Sequence, residues 1–152
     1  MFRNTLDRVD ANIINFLRKI SFPMARFALF LVFFWFGFLK IIDTSPAGPM
    51  VVSLLDRTMP FIAPDTFMVF FGIFEVIIGI TFIIPKLERL AIALLVPHLI
   101  STVLPLFLLQ SMTWTSMFVP TLEGQYIIKN ILIIAVAISL AAHLHPLKTR
   151  LN

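Results

Sequence analysis

The chain has 152 residues, 59% of them hydrophobic and only 13% charged, with a formal net charge of +4 and no cysteine. Soluble domains carry about 25% charged residues, and an interior of this size cannot bury so large an apolar excess, so lipid is the expected solvent. The absent cysteines exclude disulfides, thiol relays and thiolate metal sites, and the basic residues flank apolar runs, where they orient spans rather than bind nucleic acid.

Residues 4–20 are expected to form an amphipathic helix. Asn4 or Thr5 can cap it, and Leu6, Val9, Ile13, Phe16, Leu17 and Ile20 recur at helical spacing. It is too polar to span and is placed on the membrane surface, the alternative being a soluble helix docked on its own bundle. The first twenty residues carry both charge signs and have no apolar core before a small-residue site, so a cleaved signal peptide is not expected.

Ser21-Phe22-Pro23 reads as a restart, with Pro23 in a first helical turn, and a first span follows from about Pro23 to Ile42. The run from Asp43 to Pro49 breaks it. Met50 to Thr58 reads as a short interfacial helix or lid. A second span runs from Pro64 to Ile84; its stretch from Thr66 to Ile84 is nineteen residues, roughly 28 Å of helix and about one hydrocarbon thickness. A third span covers about Leu90 to Gln110, bent at Pro97 and Pro105, which free the carbonyls of Ala93 and Ser101. Met112 to Thr121 is a loop with Trp114 and Phe118 at interfacial depth. A fourth span runs from about Gln125 to Leu144, closed by His145-Pro146.

The fold class expected is therefore all-α: a polytopic membrane protein with an N-terminal interfacial helix over 1–22, a four-helix transmembrane bundle over 23–145 and a tail over 146–152. Four spans put both termini on one side. That side collects nine basic residues (Arg3, Arg8, Arg18, Lys19, Arg26, Lys86, Arg89, Lys148 and Arg150) against Lys40, Arg57 and Lys129 on the other. The positive-inside rule places both termini in the cytoplasm.

Glu75 is the residue that most demands explanation, because a carboxyl group near the centre of an apolar span costs several kcal/mol unless protonated, paired or hydrated. Lys40, His98 and Lys129 lie inside or at the ends of the other three spans, and Gln125 shares a face with Lys129. Gly72, Glu75 and Gly79 share another face, where small residues mark close helix contact. The five polar side chains Lys40, Glu75, His98, Gln125 and Lys129 are expected to converge in the outer half of the bundle. They form a candidate ligand site or, equally, an ion-pair network that sets helix register. His98 has a milder role open to it, donating to a carbonyl freed at a kink. Haem or another metal would need histidines paired at matching depth, which His98 lacks; His143 and His145 sit at the cytoplasmic end.

Three segments together resemble the DoxX-like family of small bacterial membrane proteins: Phe36-Gly37-Phe38-Leu39-Lys40, Gly72-Ile73-Phe74-Glu75-Val76-Ile77-Ile78-Gly79 and Glu123-Gly124-Gln125-Tyr126-Ile127-Ile128-Lys129-Asn130. The similarity covers roughly residues 23–144 and implies a four-helix bundle in the bacterial inner membrane. Members include the small subunit of thiosulfate:quinone oxidoreductase and partners of thiol-stress enzymes. Without cysteines a thiol mechanism does not carry over. The resemblance implies a subunit of a redox-associated complex holding a quinone or similar amphiphile, with no covalent cofactor and with a partner protein or a second copy beside it. The alternative is a non-enzymatic scaffold, assembly factor or lipid carrier.

Overall fold

A computed structural model describes residues 2–144, with side chains described from Leu6 onward; the first helix begins at Phe2, ahead of the expected caps Asn4 and Thr5, and His145, Pro146, Lys148 and Arg150 of the expectations above, with the tail 146–152, fall outside what is described. The chain is almost wholly helical. Its helices are α1 (Phe2–Ile41), α2 (Gly48–Thr58), α3 (Pro64–Ile83), α4 (Glu88–Val103), two short turns α5 (Pro105–Leu108) and α6 (Gln110–Thr113), and α7 (Leu122–Ala142). Four helical stretches are long and apolar enough to cross a membrane: Leu6–Ile41, Pro64–Ile83, Glu88–Leu108 and Leu122–Ala142.

The first departure from expectation is that α1 is unbroken. Pro23 sits inside a helix of 40 residues, about 60 Å long, so the chain does not restart there. A proline removes one ladder bond and frees the carbonyl four residues back, here that of Lys19. Pro23 and Lys19 are both exposed, so the freed carbonyl is not trapped in the interior. The first half of α1 extends beyond the bundle with Leu6, Val9, Ile13 and Phe16 uncovered, which rules out a helix docked on its own bundle.

The break after α1 comes where the prolines and a glycine accumulate. Asp43 adopts φ 54°, and Thr44 N–H returns to the Leu39 carbonyl at 2.9 Å while Asp43 N–H reaches Lys40, a Schellman-type stop. Helix α2 follows with its Leu55 buried, and Arg57 donates to the Leu108 carbonyl, holding α2 against the end of α5.

The third stretch, Glu88–Leu108, keeps Pro97 inside α4, which ends at Val103, and Pro105 begins the short turn α5 that completes it. Ser101 and Thr102 hydroxyls donate to the carbonyls of His98 and Leu99, the side-chain bonding that bends helices. The loop after α6 is a small antiparallel hairpin, β1 (Trp114–Ser116) with β2 (Val119–Pro120), rather than irregular chain. Phe118 turns it at φ 60°, and Trp114 Nε1–H donates to Leu106 at 3.0 Å. Thr121 then caps α7 by accepting from Gly124 N–H. Helix α7 ends at Ala142, ahead of the expected His145-Pro146 stop.

Helices α1 and α3 form the spine. They run antiparallel and so close that a Cβ on Gly37 would lie 2.6 Å from the Gly72 carbonyl, and one on Gly79 2.8 Å from Phe34 N. The Gly72–Glu75–Gly79 face is thus the face that meets α1. One apolar core joins α1, α3, α4 and α7 through Leu29, Phe33, Ile78, Phe82, Ala91, Leu95, Ala137 and Leu140.

The spine predicts its own weak point. Gly37→Ala or Gly72→Ala drives a methyl into backbone that cannot yield, so each should cost at least the ~1–3 kcal/mol typical of overpacking. Gly48→Ala meets nothing within 4 Å and should be neutral. Thermal unfolding in detergent compares the three; equal midpoints would overturn the close approach.

Candidate functional site

Three of the five candidate side chains meet. Lys40 sits in the last turn of α1, Glu75 in the middle of α3 and His98 one residue beyond Pro97 in α4. Lys40 Nζ lies 2.6 Å from Glu75 Oε2, and His98 Nε2 lies 2.8 Å from Glu75 Oε1. The three are 6%, 4% and 5% exposed. Lys40 stands level with Gly72, its Cβ 2.9 Å from where a Gly72 Cβ would be. Its stem therefore runs about one turn along the helix pair to reach the carboxylate. The glycines and the ion pair depend on one another: only with the backbones in contact can a lysine at the helix end reach so deep an acid.

Burial makes the pairing obligatory. Each ion loses its hydration, and Coulomb attraction with good hydrogen bonds must offset that loss. Glu75 meets the requirement with one bond to each oxygen. Aromatic rings complete the enclosure. His98 stacks on Phe71 at 5.1 Å and 8°, meets Phe33 edge-on at 5.1 Å and 83°, and has Phe74 at 6.3 Å. The Lys40 ammonium lies 5.6 Å from the Phe71 centroid, a cation–π distance. Phe67 stacks in turn on Phe71 at 5.5 Å and 16°. Among the described residues one buried side-chain polar atom is left without a hydrogen-bond partner, His98 Nδ1.

Gln125 and Lys129 do not join. Both are exposed, and Lys129 Nζ lies 5.2 Å over the Tyr126 ring. The buried positions of α7 are Gly124, Ile127, Ala137 and Leu140, so the polar stripe faces outward. A helix that is apolar nearly all round does not announce its packed face, and its few polar residues do not mark it. A polar contact that α7 does make with α4 is Asn130 Nδ2–H to Thr102 Oγ1 at 3.4 Å. An asparagine amid an apolar run was the available signal. His98 likewise turns to Glu75 instead of a kink carbonyl, and exposed His143 bonds Ser139 O.

A second polar assembly forms around Arg26, which in the sequence is only a flanking charge. Its Nε–H donates to the Phe82 carbonyl at 2.6 Å, its Nη2 to Ile83 and Ile84, and its Nη1 to Glu88. One guanidinium thereby satisfies the carbonyls at the C-terminus of α3, where cations are favoured, and pins the first turn of α4.

A cavity of about 410 Å³ opens at the hairpin, lined by Gln110, Trp114, Thr115, Ser116, Met117 and Phe118. It holds none of the clustered ionisable groups and is an open hollow in the loop region, so the site of chemical interest remains Lys40–Glu75–His98. Among the described residues no three His, Cys, Asp or Glu side chains gather as a metal site. Compared with known protein families, curated proteins and solved structures, the chain matches none.

The cluster predicts a non-additive stability pattern. Lys40→Met strands the Glu75 carboxylate and should cost about 3–5 kcal/mol, whereas Lys40→Met with Glu75→Gln should recover much of that loss. Exposed Lys129→Met should stay within about 0.5 kcal/mol. Unfolding in detergent measures all three; strictly additive losses would show that Lys40 and Glu75 do not interact.

Proposed function

We propose that this chain is a multi-pass protein of the bacterial inner membrane, of DoxX-like type, that serves as a subunit of a quinone-linked redox complex and holds the polar head of a quinone-type amphiphile at Lys40–Glu75–His98. The observation that carries the proposal is the cluster itself: three ionisable side chains from three helices, each at most 6% exposed, with one ring nitrogen left without a hydrogen-bond partner. Ionisable groups within candidate spans are functional by default expectation. The proposal is supported by the location of the resemblance, because two of the segments that carry it, 36–40 and 72–79, are the two that pack together through Gly37 and Gly72.

The residues present fit a quinone ring. His98 and Lys40 offer polar contacts, and Phe33, Phe71 and Phe74 offer flat apolar faces. A bound quinone would supply two-electron, two-proton redox chemistry, and the chain's own residues would bind and orient it. A cofactor-bearing partner would carry the electrons, since the chain has no thiol. A non-enzymatic scaffold or lipid carrier is favoured by one observation: the cluster is closed, and the open cavity lies elsewhere.

In this arrangement both termini face the cytoplasm, a reading supported by the nine basic residues against three. The uncovered stripe Leu6, Val9, Ile13 and Phe16 supports docking of the N-terminal half of α1 on the inner membrane surface, with the chain bending at Pro23 where a ladder bond is missing.

Two measurements test the proposal. Reporter fusions at either end should be active in the cytoplasm only; periplasmic signal from one end would overturn the topology. Mild-detergent purification followed by solvent extraction and mass spectrometry should recover a quinone near one per chain. Recovery of phospholipid alone would favour the scaffold.

A further inference from the structure

The hairpin between α6 and α7 frames the hollow of about 410 Å³ lined by Gln110, Trp114, Thr115, Ser116, Met117 and Phe118. That volume lies within the range of small-molecule sites. Hydrogen bonds from within the loop fix the frame. Trp114 Nε1–H reaches the Leu106 carbonyl at 3.0 Å, Thr115 Oγ1 donates to Val119 at 3.0 Å, and Thr121 Oγ1 donates to Met112 at 2.7 Å. A Cβ on Gly124 would overlap the Thr113 carbonyl, so the foot of the hairpin rests directly on the first turn of α7. The indole is thereby held half-buried in the wall, while the exposed Gln110 amide and Ser116 hydroxyl take no part in those bonds.

The lining sets the chemistry of an occupant. It contains no ionisable group, so an anion or a cation would find no counter-charge there. A wholly apolar occupant would displace water from the amide and the hydroxyls and return nothing. A ring with a face of C–H groups and hydroxyls around its edge meets both halves of the lining. Its C–H face lies on the indole, and Met117 and Phe118 add apolar walls. Its edge hydroxyls exchange hydrogen bonds with Gln110, which both donates and accepts, and with Ser116. An uncharged sugar ring has that make-up.

We infer that the hairpin hollow binds an uncharged sugar ring, supplied either as the headgroup of a glycolipid or as a free glycan. By the proposed topology the hairpin lies on the membrane face away from the termini, so the site opens away from the cytoplasm. The site shares no residue with Lys40–Glu75–His98 and does not depend on what that cluster holds.

The test uses the full chain in phosphatidylcholine nanodiscs, so that no sugar-headed detergent competes. Exposed Trp35→Phe leaves Trp114 as the sole tryptophan reporter. The probes are the methyl and hexyl glycosides of glucose, galactose, mannose and N-acetylglucosamine, with methyl glucuronide as the charged control and hexanol as the apolar one. At least one methyl glycoside should shift Trp114 emission saturably, and saturation-transfer NMR should detect its ring protons at the protein. Both controls should bind about tenfold more weakly or less. Gln110→Ala and Ser116→Ala alter exposed side chains outside the hairpin frame, and each should weaken glycoside binding about fivefold, as loss of one hydrogen bond does. A hexyl glycoside that binds more tightly than both its methyl counterpart and hexanol identifies a glycolipid headgroup; equal affinity of hexyl and methyl forms identifies a free glycan. Absence of saturable binding by every glycoside, hexanol binding as tight as the hexyl glycosides, or affinity unchanged in both alanine variants would overturn the inference. None of those results bears on the quinone-linked proposal.

Discussion

A carboxylate in the middle of an apolar helix has to be compensated, and the compensation of Glu75 organises much of the molecule. A lysine at the end of one helix can reach an acid deep in its neighbour only if the two backbones touch, so α1 and α3 meet at Gly37 and Gly72. The remaining carboxylate oxygen needs a donor from a third helix, so α4 must place His98 opposite it. Pro97 immediately precedes that histidine, and the Ser101 and Thr102 hydroxyls turn back on the carbonyls that follow it. Helix spacing, register and the local shape of α4 all bear on one charge.

The same helices are fastened at the opposite end by Arg26, which caps α3 and holds Glu88 of α4. Between the two polar fastenings lies the apolar core of Leu29, Phe33, Ile78, Phe82 and Leu95. Apolar side chains pack in many registers at similar free energy and supply little preference for any one of them. Polar contacts at both ends remove that degeneracy, because sliding one helix by a turn would strand Glu75 and uncap α3 together. Structural and functional roles for the cluster are therefore compatible: one nitrogen of His98 serves the lock, and the other is left over.

Helix α7 and the hairpin are held differently. Apart from the cap at Thr121 and the Asn130–Thr102 bond, α7 packs through small and aliphatic residues and turns Tyr126, Ile131, Leu132 and Ile138 outward. The hairpin tip projects Met117 and Phe118, both more than four-fifths exposed. Spine and periphery thus differ in kind, the first specified by buried ions and the second by aliphatic packing and scattered hydrogen bonds.

Length, composition and the spacing of charges in the sequence were enough to determine four long apolar helices and a problem at Glu75, because hydropathy and the cost of a buried charge depend on local composition. The short glycine-marked face of α3 was legible for the same reason. Which partner answers Glu75 was not, since Lys40, His98 and Lys129 were equally plausible until the helix faces were known, and a uniformly apolar helix such as α7 hides its packed side. Pro23 could not declare itself a bend or a break without knowing that the carbonyl it frees lies on an exposed face. Arg26 resembled any flanking charge until α3 ended beside it. Those outcomes belong to the tertiary structure, because each depends on the distance and orientation between helices remote in sequence, to which hydropathy is blind.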